Sequence, residues 1–210
     1  MIFLPDGALL VTERAGSLKL RQPGGAVQSI TGVPSVSYGG QGGLGDVVLH
    51  PKFAQNNLVY LSWAEAGEGG TSGAAVGRAT LTLSAAGGRL DGLQVLWRQT
   101  PKVSGQGHFG HRLAFDAAGK LWITSGERQK GAPAQDMTQN LGKVLRLNDD
   151  GAAPADNPFV SQGGVAAQVW SLGHRNPLGI AFLELRGEAQ SRIGSQPVSI
   201  AWRFCTSLSR

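Results

Sequence analysis

His108 stands in Gly105-Gln-Gly-His108-Phe-Gly-His111-Arg112, a glycine-rich stretch that offers an imidazole. Such a histidine is either a proton acceptor or a solvated, turn-capping side chain. Arg175 lies in Gly173-His-Arg-Asn-Pro177. A turn of Gly, Asn and Pro rarely needs a guanidinium, so contact with an anion is its more telling use. Asn176 beside it, and Gln41 in Gly39-Gly-Gln-Gly-Gly43, add carboxamides that both donate and accept. Glu127, at the end of the run that starts at Leu121, is either a surface charge or a carboxylate of the same site. His50, before Pro51, reads as structural, and His174 as a residue that shapes its own turn.

These residues work together only if the fold gathers them, and the chain repeats itself in a way that predicts it. Phe3-Leu-Pro-Asp-Gly-Ala-Leu-Leu-Val-Thr12 recurs as Phe115-Asp-Ala-Ala-Gly-Lys-Leu-Trp-Ile-Thr124, an offset of 112. Both read as a strand end, a tight turn closing on glycine, and a second strand. A looser copy runs from Val47 to Ser62. Gly16–Gly24, Gly77–Leu83 and Gly142–Gly151 fill the following slot in each unit. Units of roughly 50–60 residues made of short alternating strands match propeller blades, and no helical apolar period stands out. A fourth unit is predicted to open at Val165–Trp170, and Ala66–Ala75 to form a long loop within a blade. The loops before the first strands of successive blades open on one face, so Gln41, His108 and Arg175-Asn176 are expected to converge there. Gly40-Gln-Gly-Gly-Leu-Gly45 fits a dinucleotide fingerprint, but a strand ending at His50-Pro51 follows it where a helix would be required.

Composition narrows the function classes. Glycine accounts for 32 of 210 residues, about twice the usual share, and charged residues for 16 %. The net charge of +5 comes from scattered Lys and Arg with no run of three, so no nucleic-acid stripe is present. No apolar stretch approaches the ~20 residues of a membrane span. Met1–Leu4 followed by Pro5-Asp-Gly7 does not read as a signal peptide. A lone cysteine, Cys205, excludes an internal disulfide framework.

Five segments in order carry a resemblance: Phe3–Arg14, Gly40-Gln-Gly-Gly-Leu44 with Leu49–Phe53, Gly107–Leu113, Ala134-Gln-Asp through Phe159, and Gly173–Pro177. Over residues 1 to about 182 they resemble the soluble glucose/sorbosone dehydrogenases, six-bladed propellers that use pyrroloquinoline quinone (PQQ), and among them the bacterial aldose sugar dehydrogenases. The resemblance implies an all-β propeller, here an incomplete arc of three to four blades. It implies oxidation of an aldose at C1 to the lactone, with an external electron acceptor. His108 matches the general base, Glu127 the carboxylate that supports it, and Arg175 the cation beside the quinone's reactive carbonyl. Gln41 and Asn176 match amides that contact the cofactor. A periplasmic or secreted location goes with the family.

Departures from the family pattern give further expectations. His111 stands where the family has a small residue and is expected to crowd the site or compete for the proton. The family's calcium ligands lie downstream of the His174-Arg175-Asn176 loop and cannot be found in Leu183–Arg210. The chain therefore reads as a fragment, with a propeller portion over 1–182 and a divergent, out-of-frame or replaced tail over 183–210. Open edges predict poor solubility and little or no dehydrogenase activity for the isolated chain. The alternatives are a propeller that grips carbohydrate or protein without chemistry, and a four-bladed propeller complete as it stands.

Overall fold

The computed structural model describes residues 1–182, and the tail predicted over 183–210 lies outside the described residues. The chain forms three four-stranded antiparallel sheets in sequence order. The first holds β1 (Ile2–Phe3), β2 (Leu9–Glu13), β3 (Ser17–Arg21) and β4 (Val27–Thr31). The second holds β5 (Leu44–Leu49), β6 (Leu58–Ala66), β7 (Ser72–Ser84) and β8 (Gly87–Arg98). The third holds β9 (Gly110–Phe115), β10 (Leu121–Ser125), β11 (Lys143–Leu147) and β12 (Val169–Leu172). A short parallel pairing of β4 with β8, Ile30 opposite Gly88, joins the outer edges of the first two sheets. This is an all-β, partial propeller.

The repeated turns fold alike. Leu4 N–H bonds Ala8 O and Gly7 N–H bonds Leu4 O; Asp116–Lys120 and Gly119–Asp116 repeat both bonds. Gly7 and Gly119 take φ of +85° and +74°, which is why glycine recurs there. The following slot repeats through Gln22–Ala26 and Asn148–Ala152, so Gly25, one residue beyond the expected Gly24, is the counterpart of Gly151.

Period-two alternation packs the sheets side by side. From β6, Val59, Leu61 and Trp63 join Leu10, Leu18, Leu20 and Leu81 in one core; Tyr60 and Ala64 join Phe109, Leu113, Ile123 and Leu145 in another. The middle sheet is thus covered on both faces by its neighbours, as in blades fanned about a common axis. Each fully buried Leu or Ile contributes about 1.5–3 kcal/mol, enough to hold the loops on a rigid base.

Two expectations are corrected. The segment 66–75 is no long loop: β6 runs to Ala66, β7 starts at Ser72, and only 67–71 turn. Ser72, Gly73, Ala74 and Ala75 are buried, their small size serving close sheet packing. Val165–Trp170 does not open a fourth unit either. Ala166–Gln168 is a 3-10 turn, and β12 pairs with β11 (Lys143 opposite Leu172) as the last strand of the third sheet. Phe182 packs its ring 5.5 Å from that of Trp122. The one described α-helix, Phe53–Asn56, is a single turn, and no described helix is long and apolar enough to cross a membrane.

Candidate functional site

The loops before β5, β9 and the segment after β12 meet on one face, as repeat phase predicts. Gly39 and Gly40 nest against Gln106: a side-chain carbon on Gly40 would lie 2.6 Å from Gln106 O. Gln41 N–H donates to that same carbonyl at 2.7 Å. Its side-chain Oε1 then accepts from His108 N–H at 2.8 Å and from Asn176 Nδ2 at 3.3 Å. Asn176 Oδ1 in turn accepts from Gly110 N–H at 3.2 Å. One carboxamide therefore ties three loops, far apart in the chain, into a single surface.

His108 and Glu127 form a largely buried pair on this face. His108 Nδ1 lies 2.5 Å from Glu127 Oε1, with the imidazole 12 % and the carboxylate 5 % exposed. Glu127 Oε2 accepts from Gly131 N–H at 2.5 Å. Burial pushes the Glu127 carboxyl up, but the N–H of Gly131, the His108 imidazole and the N–H of Lys130 outweigh it and hold it below the ordinary carboxylate value. An ionised carboxylate on Nδ1 makes that nitrogen the donor and leaves the lone pair on Nε2, the tautomer a base requires.

Arg175 joins the pair through the backbone: Glu127 N–H donates to Arg175 O at 2.8 Å. Its exposed guanidinium has no hydrogen bond or ion pair with any described residue. It lines an open cleft of about 600 Å³ together with Glu127, Gln129, Lys130, Gln135 and His174. His174 also bonds Ser171 Oγ through Nε2 at 2.8 Å within its own turn. Two cations and two carboxamides beside an imidazole–carboxylate pair suit a flat polycarboxylate such as PQQ. Among the described residues no three His, Cys, Asp or Glu side chains converge to hold a metal.

His111 does not behave as expected. Its imidazole is buried between the second and third sheets, with Nδ1 3.0 Å from Ser62 Oγ and its ring edge-on to Phe109. Burial first, then Arg112 and Arg128, pushes its pKa down to about 4, so it is neutral and packed rather than a rival for the proton. Only Gly45 opposite leaves it room, since a side-chain carbon there would lie 2.0 Å from the imidazole. His50 is structural as read: Nδ1 accepts from Lys52 N–H at 3.0 Å and Nε2 faces Asp149 at 3.3 Å.

Sequence reasoning missed Arg128, which is 1 % exposed behind the site. It also missed the backbone: among the described residues, the non-glycine residues with positive φ are Asn57, His108, His111, Arg128 and Gln129, four of them around the site. Left-handed backbone costs roughly 1–2 kcal/mol per residue and is kept where the surroundings over-determine it. Adjacency to Glu127 was the only sequence sign of Arg128.

Comparison with known proteins identifies the family. The chain is 44 % identical over 184 residues to the aldose sugar dehydrogenase YliI of Escherichia coli K12, covering 87 % of this chain and 49 % of that one. A solved glucose dehydrogenase superposes with a TM-score of 0.84 at 47 % identity, over 89 % of this chain and 58 % of that one. The PQQ-bound form of an aldose sugar dehydrogenase from Streptomyces coelicolor gives 0.74 at 30 % identity, over 86 % and 52 %. The chain thus spans about half the length of the relatives it matches. Residues 1–191 match the family described as Glucose / Sorbosone dehydrogenase, and the chain belongs to that family.

Proposed function

We propose that this chain carries the proton-abstracting side of a PQQ-dependent aldose dehydrogenase site. The observation that carries the reading is the His108–Glu127 pair at 2.5 Å, joined through the Glu127 backbone to Arg175. His108 Nε2 takes the proton of the anomeric hydroxyl, and the C1–O bond becomes the lactone carbonyl as C1 gives up its hydride. Glu127 holds the imidazole in the accepting tautomer and stabilises the imidazolium that forms. When bound, the quinone supplies the hydride acceptor and passes the electrons to an external acceptor. Arg175, Gln41 and Asn176 would hold it, the guanidinium lying where negative charge builds up. Family resemblance also supports a periplasmic or secreted location, and implies calcium held by ligands downstream of the His174-Arg175-Asn176 loop that cannot be found in Leu183–Arg210. A propeller that only grips carbohydrate has no use for a buried carboxylate held on an imidazole, which favours the enzymatic reading.

Mixing the chain with PQQ tests this directly. The quinone absorbance is expected to shift, and Arg175→Ala to weaken the titration about tenfold or more. A wild-type chain that leaves the spectrum unchanged overturns the reading.

A further inference from the structure

Arg128 is almost wholly buried, yet among the described residues no carboxylate pairs with it. Its donors go to main-chain oxygens and one hydroxyl instead. Nε donates to Gly107 O at 2.9 Å, Nη1 to Ser72 O, and Nη2 to Gly105 O and to Ser72 Oγ at 3.3 Å. The guanidinium carbon Cζ lies over the Phe109 ring, 3.7 Å from its centre. The Arg128 backbone N–H adds a bond to His108 O at 3.2 Å. Desolvation drags its pKa down to about 10, so it is still a cation at neutral pH.

Ser72 is a firm anchor, because its N–H and C=O both pair with Val103 in an antiparallel bridge, at 3.0 and 3.1 Å. The stretch Gly105–Phe109 is thus wrapped around one planar fork that is fixed at its far end to the second sheet. His108 sits inside that wrap with φ +52°, a conformation that its own side chain disfavours.

We propose that Arg128 is a positioning residue: its buried guanidinium is the post around which Gly105–Phe109 is wound, and so sets where the His108 imidazole meets Glu127. The inference rests on the reading of His108 as the base, but its own claim is geometric. A lysine keeps the charge and loses the planar fork and the stacking face, so the conservative exchange is not expected to rescue it.

The test is proton NMR of the full chain. The short His108 Nδ1–H···Oε1 bond gives a far-downfield resonance, assigned by its disappearance in Glu127→Gln. Arg128→Lys and Arg128→Met are expected to lose that resonance while the dispersed amide signals of the first sheet persist. A folded Arg128→Lys chain that keeps it overturns the proposal. If neither variant folds, Phe109→Leu decides, since it removes the stacking face and leaves the cation; a retained wild-type resonance there also overturns it. Failure of the base assignment is read separately. If sugar measurably reduces PQQ bound to the wild-type chain and His108→Asn leaves that rate unchanged, the base role falls while the resonance test of Arg128 stands.

Discussion

The Glu127 carboxylate meets Nδ1 of His108 at 2.5 Å across nineteen residues of chain, and its second oxygen is taken by Gly131 N–H. One end of β10 and the loop before β9 are thereby locked through a single ionised group. Because the folded carboxyl lies below its ordinary value of 4.5, the stabilisation is present above that value and is lost as pH falls through the lower, folded one. Glu127→Gln should cost about 1.5–3 kcal/mol at pH 7, the usual worth of hydrogen bonds to a charged group. Urea unfolding of both chains between pH 7 and pH 3 checks it: the gap should close only on the acid side. A gap that is flat down to pH 3 rules out the ionised pair.

His111 makes a second, separable pH effect. Its folded pKa of about 4 lies below the ordinary 6.5, so the unfolded chain binds the proton first. Stability from this group is full above 6.5, falls as pH drops towards 4, and changes no further below. The drop is on the order of 3 kcal/mol between those limits. Replacing His111 by Asn should remove that slope while leaving the more acidic Glu127 transition in place. An unchanged slope between pH 6.5 and pH 4 would mean that the imidazole is solvated.

Gly45 and His111 form one packing unit across two sheets. Gly45→Ala forces a carbon to within 2.0 Å of the buried ring and should destabilise the fold by about 1–3 kcal/mol, the usual cost of overpacking. His111→Ala opens a cavity, and the double variant should be more stable than the two separate losses predict. A thermal-unfolding cycle measures the coupling; strictly additive effects would refute the contact.

The legible parts of this protein were those set by local chemistry. The Phe3 and Phe115 units share a turn because each needs a glycine with positive φ after a polar turn residue, and that need is written in residue types. Repeat phase then gathered Gln41, His108 and Asn176 without any knowledge of distances. Composition misled where it serves two purposes. The small residues of 66–75 read as loop, but Ser72–Ala75 are small because a strand is pressed between two sheets. β12 was misplaced because a long, turn-rich stretch separates it from β11, and only pairing across that stretch assigns it to the third sheet. Arg128 has only its adjacency to Glu127 to mark it, because nothing in a sequence tells which cation is buried on carbonyl groups.

Lys143 poses the same problem on the other side of the cleft. Its ammonium is buried and donates to Pro133 O at 2.8 Å, Ala134 O at 3.1 Å and Leu141 O at 2.8 Å, and burial lowers its pKa to about 8 despite Asp136. Lys143→Met should remove three charge-assisted hydrogen bonds and leave Leu141 O without its donor, at about 1–3 kcal/mol, and loosen the 132–135 segment that carries Ala134 and Gln135 into the cleft wall. Hydrogen exchange at Gly173, whose N–H bonds Ala134 O, reports the loosening. It should quicken in the variant, while Leu10 and Leu20 in the first sheet keep their protection. Equal exchange at Gly173 in both chains would mean that the segment is held by its own turn, without the ammonium.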